Sequence, residues 1–169
     1  MQQFDKLYIG GAWVEPSSAE TIDVINASTE QVMGSIPAGT PADVDRAVVA
    51  AKDAFDGWAG TALADRVKLV QALADGIAAR NQELAETMCG EVGMPIFLCQ
   101  IVLAGLPQAV AASMVQIADE IVWEETIGNS IVIKEPIGVI GCITPITHSL
   151  PTITNATTPR HCRGRARRV

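Results

Sequence analysis

The chain has 169 residues, of which 49% are hydrophobic; this composition suits a folded domain with a sizeable core and excludes an intrinsically disordered protein. Its formal net charge of −7 is unevenly divided, because all 19 acidic residues lie at or before Glu135. Residues 1–159 carry a net charge of −12 and the last ten carry +5, so two sequences of different character are joined.

Short β-strands are predicted first. The run from Leu7 to Val14 predicts a hairpin, because two short β-prone stretches flank a Gly-Gly turn. Residues 21–26 alternate apolar and polar side chains, as a half-buried or edge strand does, and residues 31–36 form another strand after a turn. We therefore expect an N-terminal part built of short strands.

A helix is predicted to begin at Thr40-Pro41-Ala42-Asp43. Threonine can cap a helix, proline suits its first position, and Asp43 favours its positive end. The residues that follow carry an apolar stripe at helical spacing, which we interpret as a buried core face. The stripe consists of Val44, Ala47, Val48, Ala51, Phe55 and Trp58.

Further helices are predicted between residues 61 and 123. Thr61 is placed to cap the first, and residues 82–92 form another that Gly93 ends in the left-handed conformation. A third helix runs from about Cys99 to Trp123, with Pro107 either kinking it or lying in a first turn. Because glycines and prolines interrupt the apolar stretches, we expect no membrane helix.

Two strands are predicted next. Residues 131–134 form a short strand after a Gly-Asn-Ser turn. Residues 135–145 are apolar and β-branched, contain two glycines and end in proline, which is typical of a buried parallel strand feeding a tight turn. This order favours an α/β protein whose parallel sheet begins only near residue 137.

Residues 138–145, Gly-Val-Ile-Gly-Cys-Ile-Thr-Pro, resemble the strand and turn that open the nucleotide-binding core of NAD(P)-dependent aldehyde dehydrogenases. The Tyr-Ile-Gly-Gly hairpin at 8–11, the Ala-Phe…Trp helix at 54–58 and the Glu-Val-Gly-Met-Pro turn at 91–95 also resemble that family, in the same order. The resemblance implies an α/β fold of which this chain is the N-terminal part: a β-hairpin, a helical bundle and the start of a Rossmann-like parallel sheet.

The same resemblance divides the chain into four parts. Residues 1–126 would be the N-terminal part of the cofactor-binding domain, and 127–136 an oligomerisation-type strand. Residues 137–146 would be the first strand and turn of the Rossmann-like core, and 147–169 an aberrant basic tail. In the family, the strand equivalent to residues 128–135 reaches a neighbouring subunit's sheet, so the resemblance implies a homo-oligomer.

The family oxidises an aldehyde to a carboxylic acid and reduces NAD or NADP, so a small aldehyde is the implied substrate. A cysteine thiolate attacks the carbonyl, hydride passes to the nicotinamide, and a glutamate activates water to hydrolyse the thioester. Both residues belong to parts of the family fold beyond position 169, so we expect this chain to be a truncated, inactive front part of such an oxidoreductase. The alternative is a non-catalytic fragment that acts as an oligomerisation or interaction module.

The resemblance places cofactor contacts on Ile143, Thr144, Pro145 and Ile146, where the family's turn lies along NAD(P). Thr147 stands where the family has an asparagine whose amide helps to hold the developing oxyanion. No counterpart of the family's cofactor-holding lysine follows. The residues that would select the aldehyde, or NAD over NADP, cannot be identified in this sequence.

The basic tail, residues 147–169, lacks hydrophobic periodicity and is rich in arginine. Arginine-rich peptides commonly arise when GC-rich coding sequence is translated in the wrong frame, so we infer a frameshift near residue 146. The tail contains neither an aromatic residue nor a lysine, so nucleic-acid binding is not expected. Without an apolar stripe, it is predicted to be poorly ordered, with His148 and His161 in solvent.

The four cysteines predict a reducing environment. Cys89, Cys99, Cys142 and Cys162 lack metal-ligand spacing, so we expect free thiols and no metal site. Cys142 lies inside the predicted buried strand, where burial makes a thiol a poor nucleophile. Because the first residues do not read as a secretory signal, the sequence predicts a cytoplasmic protein.

Overall fold

The computed structural model describes residues 2–144 and 162–168, with the backbone alone for residues 2–3 and 162–168. Its N-terminal part contains the predicted hairpin and strand pair, in five short strands. They are β1 (Gln2–Gln3), β2 (Leu7–Ile9), β3 (Ala12–Val14), β4 (Thr21–Ile25) and β5 (Val32–Pro37). Strands β2 and β3 form an antiparallel hairpin, whereas β5 lies between β1, which is parallel to it, and β4, which is antiparallel.

Five helices follow the strands in the described part of the chain. They are α1 (Pro41–Ala59), α2 (Leu63–Ala79), α3 (Asn81–Val92), α4 (Ile96–Leu98) and α5 (Leu106–Ile117). The predicted start at Thr40 and the left-handed end at Gly93, with φ of 73°, are confirmed. The predicted cap at Thr61 is wrong: α2 begins after Ala62, because the Thr61 hydroxyl donates to the Gly57 carbonyl at 3.1 Å instead.

A π-helical segment, Cys99–Gly105, joins α4 to α5. Pro107 lies in the first turn of α5, where its missing N–H removes one regular helical hydrogen bond. At Gly105 an added Cβ would lie 2.8 Å from the Gln100 carbonyl oxygen, so only glycine permits this wider turn. The same oxygen accepts a hydrogen bond from the Asn81 side chain at 3.1 Å, which ties the segment to α3.

Because Gly105 and Pro107 are accommodated within continuous helical backbone, Ile96–Glu120 forms one run of 25 residues. By length and composition this run could cross a membrane, so the expectation that no apolar stretch reaches that length is wrong. The run packs against α2 and α3, and 28% of its most apolar window is buried. A core helix passes the same test of length and composition.

The core of the described residues lies where α3 meets the π-helical segment. Ala85, Cys99 and Leu103 form its fully buried centre, and sulfur-containing and aliphatic side chains pack around them. Those side chains are Met88, Cys89, Met94 and Val102. Helix α2 adds Ala74 and Ile77 to the buried set. The large share of alanine in the buried set lets the helices approach one another closely.

The apolar stripe of α1 is not buried, which corrects the sequence interpretation. Val44 is 60% exposed and Trp58 49% exposed, while Phe55 is half-buried. Among the described residues α1 packs mainly against β2, which covers too little of its surface. We call Val44, Val48 and Trp58 the exposed face of α1. Periodicity identified an apolar face correctly, but no described element covers it.

The C-terminal part contains a three-stranded sheet in the order β6 (Glu124–Ile127), β7 (Ser130–Pro136) and β8 (Cys162–Arg168). Strand β7 is longer than predicted and pairs antiparallel with both neighbours. The strand predicted at residues 131–134 was expected to offer unpaired backbone groups to another chain, and this expectation is wrong, because β6 and β8 pair with both edges of β7. The tail was predicted to be poorly ordered, and for residues 162–168 that prediction is wrong, because seven backbone positions of β8 pair with β7 from Ser130 to Pro136. An exposed edge with free donors and acceptors can pair with a segment of any composition.

Candidate functional site

The candidate cofactor segment follows β7 directly. Ile137–Thr144 was predicted to begin a buried parallel strand, and that prediction is wrong, because these residues form no strand and most are exposed. A parallel strand is held by hydrogen bonds to its neighbours, and no described strand lies beside this segment. Cys142, expected to be buried, is also exposed.

Two of the four predicted cofactor contacts fall within the described residues. Ile143 is 95% exposed and Thr144 is exposed, so both are open to a ligand. At Gly141 an added Cβ would meet nothing within 4 Å, so a ligand could approach the backbone there. Pro145, Ile146 and the predicted oxyanion position Thr147 lie outside the described residues. Ile143 and Thr144 are therefore accessible, and their contact with a cofactor stays a prediction.

The one buried carboxylate among the described residues, Asp43, lies far from this segment in the sequence and caps α1. Its Oδ1 accepts from the Ser17 N–H at 3.0 Å, the Ser17 hydroxyl at 2.8 Å and Arg46 at 2.8 Å. Its Oδ2 accepts from the Thr40 N–H at 2.9 Å and the Thr40 hydroxyl at 2.8 Å. The hydrogen bonds from the Thr40 backbone and the Ser17 hydroxyl hold the pKa of Asp43 well below its usual range, although burial opposes them. A carboxylate so fully hydrogen-bonded is a structural cap and a poor general base.

A groove of about 240 Å³ lies between β5 and α3. Its walls include Met33 and Met88, and its charged rim includes Arg80 and Glu83. These two charges pair with each other at 2.6 Å, so they satisfy one another rather than a ligand. The groove therefore carries no evident chemistry of its own.

Cys99, a buried thiol, is not an activated nucleophile. Burial, followed by the neighbouring Cys89, raises the pKa of the Cys99 thiol, and its Sγ donates to the Met94 carbonyl at 3.4 Å. Because the Cys99 thiol has no exposed surface, a substrate carbonyl cannot reach it. Within residues 2–144, no group of three or more His, Cys, Asp or Glu side chains could hold a metal ion. The proximity of Cys89 and Cys99 was not predicted from the sequence, because their spacing of ten residues matches no known motif.

Comparisons with known proteins agree with the resemblance in the sequence. The model of the aldehyde dehydrogenase family matches residues 13–161, a range that continues past Ile146 into the basic tail. A 3-succinoylsemialdehyde-pyridine dehydrogenase of a Pseudomonas species is 36% identical over 163 residues, which cover 94% of this chain and 34% of that protein.

Solved structures show the same relation. The aldehyde dehydrogenase of Bartonella henselae matches with a TM-score of 0.87 and 28% identity, over 91% of this chain and 33% of that one. Aldehyde dehydrogenase C of Pseudomonas syringae, solved as a mutant with NAD+ and octanal, matches with a TM-score of 0.86 and 34% identity, over 89% and 31%. The chain thus spans about a third of the length of the relatives that it matches. The described fold is that of their N-terminal part.

Proposed function

This chain belongs to the aldehyde dehydrogenase family, and we propose that it forms the N-terminal part of an enzyme that oxidises an aldehyde to a carboxylic acid while reducing NAD or NADP. The observation that carries this proposal is the family match over residues 13–161, together with a TM-score of 0.87 to an aldehyde dehydrogenase. Relatives of this fold have been solved with NAD+ bound, which supports a nicotinamide cofactor.

In this proposal the chain supplies a frame and one wall of the cofactor site. Ile143 and Thr144, with Pro145 and Ile146 after them, would contact the dinucleotide, because the two described residues are exposed and lie two and three residues after the open backbone at Gly141. Bound NAD(P) would accept the hydride released from the substrate. Thr147 would lie at the position of the oxyanion donor.

The part that this chain plays is positional rather than chemical. Residues 137–144 follow directly from β7, which is paired on both edges and therefore gives the segment a fixed starting point. The pKa of the Cys99 thiol is raised and the buried carboxylate of Asp43 is fully hydrogen-bonded, so neither is available for attack or for activation of water. We therefore propose that residues 1–169 alone do not oxidise aldehydes.

A chimera tests the proposal. Residues 1–144 of this chain would replace the equivalent part of the P. syringae enzyme, which would keep its own segment from the position of Pro145 onward. The expected result is aldehyde-dependent reduction of NAD+, measured by the absorbance of the reduced cofactor. The same chimera with that enzyme's cysteine-to-alanine mutation is the matched inactive control. A folded chimera that neither binds NAD+ nor turns over would overturn the proposal.

The second candidate function is that of a non-catalytic interaction module. It is favoured by the exposed face of α1 and by exposed aromatic residues on the β2–β3 hairpin, where Tyr8 and Trp13 are each 63% exposed. Edge pairing through β7 no longer supports it, since β6 and β8 occupy both edges of that strand. A fragment that associates with itself but gives an inactive chimera would favour this second function.

A further inference from the structure

Two thiols lie side by side where α3 meets the π-helical segment. Cys99 is fully buried and belongs to the centre of the core, and Cys89 packs against that centre from the last turns of α3. The Cys89 thiol is close enough to raise the pKa of the Cys99 thiol, in addition to the effect of burial. Both thiols are free.

The backbone holds both residues at the ends of one short connection. The Cys89 carbonyl accepts from the Gly93 N–H at 2.9 Å, which ends α3. The Cys99 N–H donates to the Pro95 carbonyl at 3.1 Å, which begins the next helical run. A bond between the two sulfurs would therefore close a short loop that is already folded back on itself.

The two thiols differ in their access to solvent. Cys89 is half-buried and can be reached by a small oxidant, whereas Cys99 has no exposed surface. Cys142 is exposed on residues 137–144 and takes no part in the cluster. An accessible thiol beside a sheltered one is the arrangement in which the first is oxidised and the second resolves it.

We propose that Cys89 and Cys99 form an oxidant-sensitive pair, which a hydroperoxide converts into an intramolecular disulfide. The Cys89 thiolate attacks the outer peroxide oxygen, which breaks the O–O bond, gives a sulfenic acid and releases an alkoxide that takes up the thiol proton. The Cys99 thiol then passes its proton to the sulfenic hydroxyl as its sulfur attacks the adjacent Cys89 sulfur, and water leaves. Two thiols together lose two electrons and two protons, and the hydroperoxide is reduced to an alcohol and water.

Peptide mapping tests the pair directly. Cleavage after glutamate separates the two cysteines, because Glu91 lies between them and places Cys89 on residues 87–91 and Cys99 on residues 92–120. The purified chain is treated with tert-butyl hydroperoxide, blocked with N-ethylmaleimide and digested without reductant. The expected result is a disulfide-linked pair of these two peptides, which a reductant separates.

Thermal unfolding gives a second measurement. The disulfide should raise the midpoint temperature of unfolding by about 5 °C, because it restricts the conformations of the unfolded chain.

Variants separate this proposal from general oxidation of thiols. Cys99→Ala removes the resolving thiol and keeps a small apolar side chain, so a dimedone probe should label Cys89 about tenfold more than in the unchanged protein. Cys142→Ser is the matched control and should leave the linked peptide pair unchanged. Circular dichroism establishes that both variants are folded, and Cys89→Ala provides a second test, since Cys99 should then stay reduced. Equal labelling of Cys89 with and without Cys99, or disulfides mainly to Cys142 or Cys162, would overturn the proposal.

Discussion

Leu103 is the largest side chain at the centre of the described core, so its truncation should be among the most destabilising single changes in this chain. Leu103 has no exposed surface and packs with Ala85 and Cys99. Leu103→Ala removes three carbon atoms from this site, which at about 0.8 kcal/mol per buried carbon is roughly 2.4 kcal/mol of lost transfer free energy. The cavity left behind adds to that loss, because packed helices collapse only partly around it. We expect a total loss of about 3–4 kcal/mol in the free energy of unfolding.

Leu69 on α2 provides the matched control. It undergoes the same chemical change in Leu69→Ala, but 55% of it is already exposed. Leu69→Ala therefore loses less than half of that transfer free energy and leaves no closed cavity. The expected loss in the free energy of unfolding is about 1 kcal/mol. Urea denaturation followed by circular dichroism measures both losses. A Leu103→Ala loss no larger than that of Leu69→Ala would refute the assignment of the core to the junction of α3 and the π-helical segment.

Three further results are expected. Gly93→Ala should lower the free energy of unfolding by about 1–2 kcal/mol, because φ is positive there and the new Cβ would lie 3.1 Å from that of Ala27. The control Gly76→Ala lies inside α2 with open space around it and should raise the free energy of unfolding by up to about 1 kcal/mol in the same denaturation assay. Equal effects of the two substitutions would contradict this reasoning. The folded-state pKa of Asp43 lies below the unfolded value of 3.8, so its contribution to stability is complete above that pH and is lost as the pH falls through the folded pKa. Asp43→Asn should therefore flatten the acid limb of the profile of stability against pH, and parallel profiles for the two proteins would contradict this. The chain should self-associate through the exposed face of α1, and in sedimentation at micromolar concentration Val44→Lys should shift it towards monomer; a monomer that binds no hydrophobic dye would refute this.

Two helix ends and the family were predictable from the sequence. The start of α1 was predictable, because the hydrogen bonds of Thr40 and Asp43 join residues three apart and depend on little else. The end of α3 was predictable for the same reason, since a left-handed helix end favours glycine wherever it occurs. The order of such local elements up to residue 145 was also sufficient to predict the family and the N-terminal part of its fold.

Which surfaces are covered, and which distant residues meet, depended instead on the packing of elements that lie far apart in the sequence. Ser17 donates to Asp43 across 26 residues, and Cys89 meets Cys99 through the close packing of α3 on the π-helical segment. Strand β8 pairs with β7 although its sequence carries no strand signal. Conversely, the stripe of α1 and residues 137–144 have apolar sequences but remain exposed, because burial needs a second surface and a parallel strand needs neighbours. Periodicity shows which face of an element is apolar, and only the packing of other elements against that face determines whether it becomes core.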